Sequence, residues 1–181
     1  MIVVETSLPG CLIIKPKVYS DARGYFYESF NQQQWQAETG LTTTFVQDNE
    51  AFSNYGVIRG LHFQTGEHAQ AKLVRVITGK VLDVVVDIRL DSATYGQHIA
   101  VELSSENKMQ LFIPRGMAHG YAVLEDNTRF SYKCDNYYNK ASESGVFYND
   151  PALGIDWKIA EEERLLSEKD MGLPMMARLQ D

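Results

Sequence analysis

Two of the chain's four histidines, His62 and His119, lie in runs of strand-forming residues rather than in polar loops. A neutral imidazole works as a general base when its second ring nitrogen is held by a carboxylate or a carbonyl. Asp83 and Asp170 are the carboxylates available for that task. Asp83 interrupts the otherwise apolar run 81–86, so it needs a partner, and it reads equally as a structural acid paired with a lysine or arginine. Asp170 closes Ser167-Glu168-Lys169-Asp170, a Ser-x-x-Asp pattern that also reads as a helix capping box, although Met171-Gly172-Leu173-Pro174 leaves little helix to cap. The residues alone do not rank the two acids. Tyr132, in Phe130-Ser131-Tyr132-Lys133-Cys134, carries a phenol that donates a proton when partly desolvated. Lys72 offers an ammonium for an oxyanion; Arg75, three residues on, falls on the opposite side of a strand and is expected in solvent.

These groups need walls to stand on. In Arg59-Gly60-Leu61-His62-Phe63-Gln64, strand alternation puts Gly60, His62 and Gln64 on one face and Arg59, Leu61 and Phe63 on the other. A face with His and Gln but no bulky apolar group suits a cavity wall. His119 ends Pro114-Arg115-Gly116-Met117-Ala118-His119, a PxGxxH turn that resembles half of the double signature of cupin barrels. The other half would be HxH followed by Glu, and here it reads His62-Phe63-Gln64. An amide in place of an imidazole is a poor ligand, so the expectation is a cupin shell with its metal site dismantled and no metal bound. The alternative kept open is a metal-dependent cupin.

Short β-branched and aromatic segments punctuated by Gly, Asn, Asp and Ser predict strands at 25–30, 44–49, 56–64, 71–77, 81–89, 98–103, 110–113, 119–124 and 128–134. Helices are predicted only at 31–39, stopped by Gly40, and at 160–166. With 181 residues and no linker or repeat, the chain reads as one mainly β domain over 1–181, with short peripheral helices. Basic residues number 17 against 24 acidic, giving a net charge of −7 without a basic stripe, which argues against nucleic acid. Cys11 and Cys134 are far apart and read as buried thiols in a reducing compartment. No apolar run is long enough to span a bilayer and no secretory leader is evident, so the expected place is the cytoplasm.

Eight ordered stretches carry a wider resemblance: DARGYFYESF from Asp21, FVQDN from Phe45, GVIRGLHFQ from Gly56, QAKLVRVITGKVLDVVVDIR from Gln70, LFIPRGMAHGYAVL from Leu111, YKCDNYY from Tyr132, NDPALGIDW from Asn149 and LLSEKD from Leu165. Together they resemble the deoxythymidine diphosphate (dTDP)-4-dehydrorhamnose 3,5-epimerase family. Lys158, where a proline is commoner, and the acidic run Glu161-Glu162-Glu163 depart from its pattern. The resemblance implies a metal-free cupin-type jelly roll, a homodimer, converting dTDP-4-dehydro-6-deoxy-D-glucose to dTDP-4-dehydro-L-rhamnose. It also implies roles. His62 is the base and Asp170 its orienting partner; Tyr132 is the acid, Lys72 lies near the C4 oxygen, and His119 lines the cavity with Asp83 as its partner. Arg59 contacts the diphosphate, for which it must leave the face opposite His62 through a bend or bulge. Arg23, Phe26, Glu28, Gln47, Asn49, Tyr138 and Lys169 match substrate-binding positions, with Phe26 and Tyr138 offering faces to thymine and the Arg23 segment crossing to the neighbouring subunit. Epimerases acting only at C3 or only at C5, ketoisomerases and a non-catalytic nucleotide-sugar binder remain as alternatives.

Overall fold

The computed structural model describes residues 1–179. Its strands are β1 (Ile2–Glu5), β2 (Leu12–Lys15), β3 (Tyr19–Asp21), β4 (Gly24–Phe26), β5 (Gln47–Ser53), β6 (Ile58–Gln64), β7 (Lys72–Thr78), β8 (Lys80–Asp87), β9 (His98–Ser104), β10 (Gln110–Ile113), β11 (Met117–Val123), β12 (Thr128–Cys134) and β13 (Glu143–Gly145). Two helices, α1 (Gln32–Thr39) and α2 (Glu168–Met171), lie outside them. One sheet runs β1-β2-β10-β7-β12-β5 and the other β13-β6-β11-β8-β9, with every pairing in both antiparallel. This is the cupin-type jelly roll expected from the residues, and no helix among the described residues is long and apolar enough to cross a membrane.

Strand alternation sorts the side chains into three layers. Val74, Val76, Val81, Val85, Leu111, Tyr121 and Phe130 meet between the sheets. Leu82, Val84 and Val86 point the other way from β8, onto a cover formed after β13 by Val146, Leu153, Trp157 and Ile159. β8 is therefore buried on both faces, as its apolar run predicted. Trp157, fully buried with its indole N–H donating to the Tyr148 carbonyl at 2.9 Å, anchors that cover. Emptying such a site to alanine costs about 3–5 kcal/mol. A smaller cluster around Trp35 seats α1 on the outer side of the first sheet.

Several boundaries differ from expectation. The segment 25–30 pairs only as far as Phe26, in a hairpin with β3, and the strand expected at 44–49 starts at Gln47 and runs on to Ser53. Where a helix was expected at 160–166, Glu161–Glu163 form a single 3-10 turn and Leu165 bridges Val57 in parallel. The Leu165 backbone bonds to Gly56 and Ile58, so strand-like pairing wins over a helix that would have closed on itself. Arg75 is not left in solvent: it is half-buried on the outer face and donates to the Tyr27 hydroxyl at 3.1 Å.

Candidate active site

The site begins with a fault in a strand pair. β6 and β11 pair His62 with His119 and Arg59 with Tyr121, so three steps along β6 match two along β11. This bulge at Gly60-Leu61 turns Arg59 to the same side as His62, and both line one cavity. The expected bend is thus present, with Leu61 still pointing into the outer cover. Only glycine permits it: Gly60 has φ +125°, and a Cβ there would lie 2.5 Å from the Gly120 Cα.

His62 and His119 each hold a carboxylate. Asp170 Oδ1 lies 2.5 Å from His62 Nε2, and both Asp83 oxygens lie 3.0 Å from His119 Nε2. The two acids that the residues could not rank are thereby divided, one to each imidazole. Asp170 is delivered from outside the sheets by α2, where the Ser167 hydroxyl accepts the Asp170 N–H at 3.1 Å. The capping geometry is real, and the carboxylate remains free to turn inward. Burial works to raise the Asp170 pKa, but the contacts with His62, the Ser167 hydroxyl and the Gly60 amide outweigh it and hold the acid below its ordinary range. At Asp83 the balance is reversed, since complete burial raises its pKa despite His119 and Lys72.

The opposing wall belongs to the other sheet. Inward positions of β12 and β7 carry Tyr132 and Lys72, with Tyr132 beside Asn49 on one side and Val74 on the other. Neither the Tyr132 hydroxyl nor the Lys72 ammonium makes a hydrogen bond or ion pair among the described residues, and both line the cavity of about 330 Å³. Burial pushes the Tyr132 phenol up and the Lys72 ammonium down. Imidazole and carboxylate on one wall, phenol and ammonium on the other, can remove a proton from one face of a bound molecule and return one to the opposite face.

Arg59, His119, Lys169 and Asp170 share this cavity. A second compartment of about 260 Å³ shares the His62, Lys72 and Tyr132 wall and adds Gln47, Asn49 and Tyr138. Arg23 and Phe26 stand instead on the exposed β3–β4 hairpin, Arg23 paired with Asp21, while Glu28 accepts from Asn31 near α1. Within one chain these three are not joined to the cleft. Glu143 went unnoticed in the sequence although it ties the cleft mouth together, contacting Lys169 at 2.5 Å and the Tyr138 hydroxyl at 3.0 Å. Its three-residue strand leaves no alternation to read. Tyr121 and Phe130 were missed as well, because an aromatic residue in a strand reads as core. Gln64 accepts from the Asn139 N–H at 2.9 Å, and the described residues contain no group of three or more His, Cys, Asp and Glu placed to hold a metal ion.

The model of the dTDP-4-dehydrorhamnose 3,5-epimerase family matches residues 5–178. The Salmonella typhimurium dTDP-4-dehydrorhamnose 3,5-epimerase is 50% identical over 176 residues, covering 97% of this chain and 96% of that protein. The crystal structure of the enzyme of that name from Elizabethkingia anophelis superposes with a TM-score of 0.94 at 53% identity, covering 98% of this chain and 97% of the other. The Legionella pneumophila dTDP-6-deoxy-D-glucose-3,5-epimerase, solved in complex with dTDP-4-keto-L-rhamnose, superposes at 0.93 with 46% identity, covering 97% and 93%. Agreement of that extent in both sequence and fold shows that the chain belongs to the dTDP-4-dehydrorhamnose 3,5-epimerase family.

Proposed function

We propose that this chain is the isomerase its family is named for, inverting C3 and C5 of dTDP-4-dehydro-6-deoxy-D-glucose to give dTDP-4-dehydro-L-rhamnose without a cofactor. The observation that carries the reading is the opposition of His62, held by Asp170 and standing on one sheet, to Tyr132 and Lys72 on the other, across one cavity. A C4 ketone acidifies the protons at both neighbouring carbons. Asp170 occupies His62 Nε2, which leaves Nδ1 to take the proton. The C–H electron pair moves into a C3–C4 or C4–C5 double bond and the carbonyl pair onto the C4 oxygen, where the Lys72 ammonium meets the developing charge. Tyr132 then gives its proton to the opposite face as the double bond collapses back to the ketone, and solvent restores both groups.

Gln47, Asn49 and Tyr138 line the compartment proposed for the nucleoside, and Arg59 and Lys169 supply charge for the diphosphate. The exposed hairpin with Arg23 and Phe26 supports a homodimer in which those residues and Glu28 complete the neighbouring subunit's site. A cytoplasmic setting fits a nucleotide-sugar substrate. The test is incubation with the 4-keto sugar nucleotide in deuterated water. The expected result is one deuterium at C3 and one at C5 of the product, both abolished in His62→Ala while dTDP still binds. Deuterium at a single carbon would make this a single-site epimerase, and undiminished uptake by His62→Ala would remove His62 from the mechanism.

A further inference from the structure

Tyr121 stands in the same cavity as the catalytic groups, and no step above uses it. It is 5% exposed, and its backbone pairs with Arg59 on one side and Asp83 on the other. Its ring stacks on Phe130 with centroids 4.0 Å apart and planes at 23°, which fixes its direction. The hydroxyl makes no hydrogen bond among the described residues. It is not sealed off either, because Trp35 Nε1 is the one buried polar atom among them that lacks both a partner and access. A phenol held rigidly by a stacked neighbour, with its polar end open only to a ligand cavity, is placed to receive something. Burial raises its pKa strongly, so the group stays a neutral donor wherever an ordinary tyrosine would be neutral.

We propose that the Tyr121 hydroxyl donates a hydrogen bond to a sugar oxygen of the bound substrate, between Arg59 and the His62–His119 pair, and so sets how the ring is seated between base and acid. The inference rests on the epimerase reading. The role is binding and positioning rather than proton transfer, since Tyr132 already supplies a phenol on the wall opposite His62. Asp83 and His119 are committed to each other, so no protein acceptor competes for the Tyr121 proton.

Tyr121→Phe removes the hydroxyl and keeps the stacked ring. The expected result is a rise of roughly tenfold in KM for the sugar nucleotide, the size of one lost neutral hydrogen bond, with the Kd for dTDP alone and the thermal midpoint unchanged. The ratio of deuterium entering C3 to that entering C5 should also change, since a loosened ring presents its two carbons differently. An unchanged KM and ratio, or an equal weakening of dTDP binding that would place the contact on the phosphates, overturns the proposal. Wild-type protein without any epimerisation would instead overturn the function it rests on. Tyr121→Leu, which also removes the stack, is expected to lower the thermal midpoint, separating the packing role of the ring from the binding role of its hydroxyl.

Discussion

His62 keeps 28% of its side-chain surface open, whereas His119 keeps 7% and its partner Asp83 none. The first pair is the more open to substrate, while Asp83 is wholly enclosed behind His119, which borders the cavity. Asp170→Ala should therefore lower the exchange rate by about 10²–10⁴-fold with a small loss of stability. Asp83→Ala should cost about 1–3 kcal/mol in urea unfolding, because a buried imidazole loses its hydrogen-bond partner. Equal stability losses in the two variants would erase the distinction. The phenol and the ammonium differ in the same physical way. Ordinary values would have Tyr132, at 10.0, lose its proton before Lys72, at 10.5, but burial pushes the tyrosine up and the lysine down. Both shifts favour discharging Lys72 before Tyr132 as the pH rises, which would remove the stabilisation of the enolate. The expected pH profile of kcat/KM falls on an alkaline limb below 10.5 that shifts upward in Lys72→Arg. In Tyr132→Phe, exchange into recovered substrate should persist and keep that limb. A limb that vanished from the exchange reaction of Tyr132→Phe would assign it to the tyrosine.

At the level of elements, the bulge in β6 decides which residues face the cavity. Gly60→Ala would force a Cβ against the β11 backbone at a φ that alanine resists, with an expected loss of roughly 2–4 kcal/mol and of Arg59's approach to the cavity. Circular dichroism melting and dTDP titration would show both, and an unchanged melting point would mean that the strands can slide past each other to accommodate the methyl. Much of this arrangement was legible in the residues. The strands at Gln110–Ile113 and Thr128–Cys134 stand where their β-branched and aromatic content between turn residues put them, and the need for a bulge followed from wanting Arg59 and His62 on one side. β1, β2 and β13 were not read as strands; β13, at three residues, takes its shape from its neighbour rather than from its own pattern. The stretch 160–166 misled because its charges suit a helix, while its backbone is claimed by Gly56 and Ile58. Alternation also could not show that Tyr121 borders a space rather than a packed side chain.

For the whole molecule, the cleft holds the base, acid and ammonium in one chain while Arg23 and Phe26 stand apart on a hairpin, Phe26 being 69% exposed. If a second copy supplies them, each active site draws on two chains. The protein should sediment at twice its 20.5 kDa chain mass. Arg23→Ala and His62→Ala should each be nearly inactive alone, yet an equimolar mixture allowed to exchange subunits should recover about a quarter of wild-type activity, because half the dimers then contain one intact site. Failure of the mixture to recover activity would place every site within a single chain. Asp170 bears on a different question, that of timing. It follows the last strand in the chain and reaches His62 only when the segment carrying Leu165 has been laid along β6. Synthesis from the N-terminus therefore delivers His62, Lys72 and Tyr132 before the carboxylate that orients the base. Until α2 docks, the nascent chain lacks both the carboxylate that orients His62 and the Lys169 charge at the cleft, so binding and turnover are expected to be completed together by the same late step.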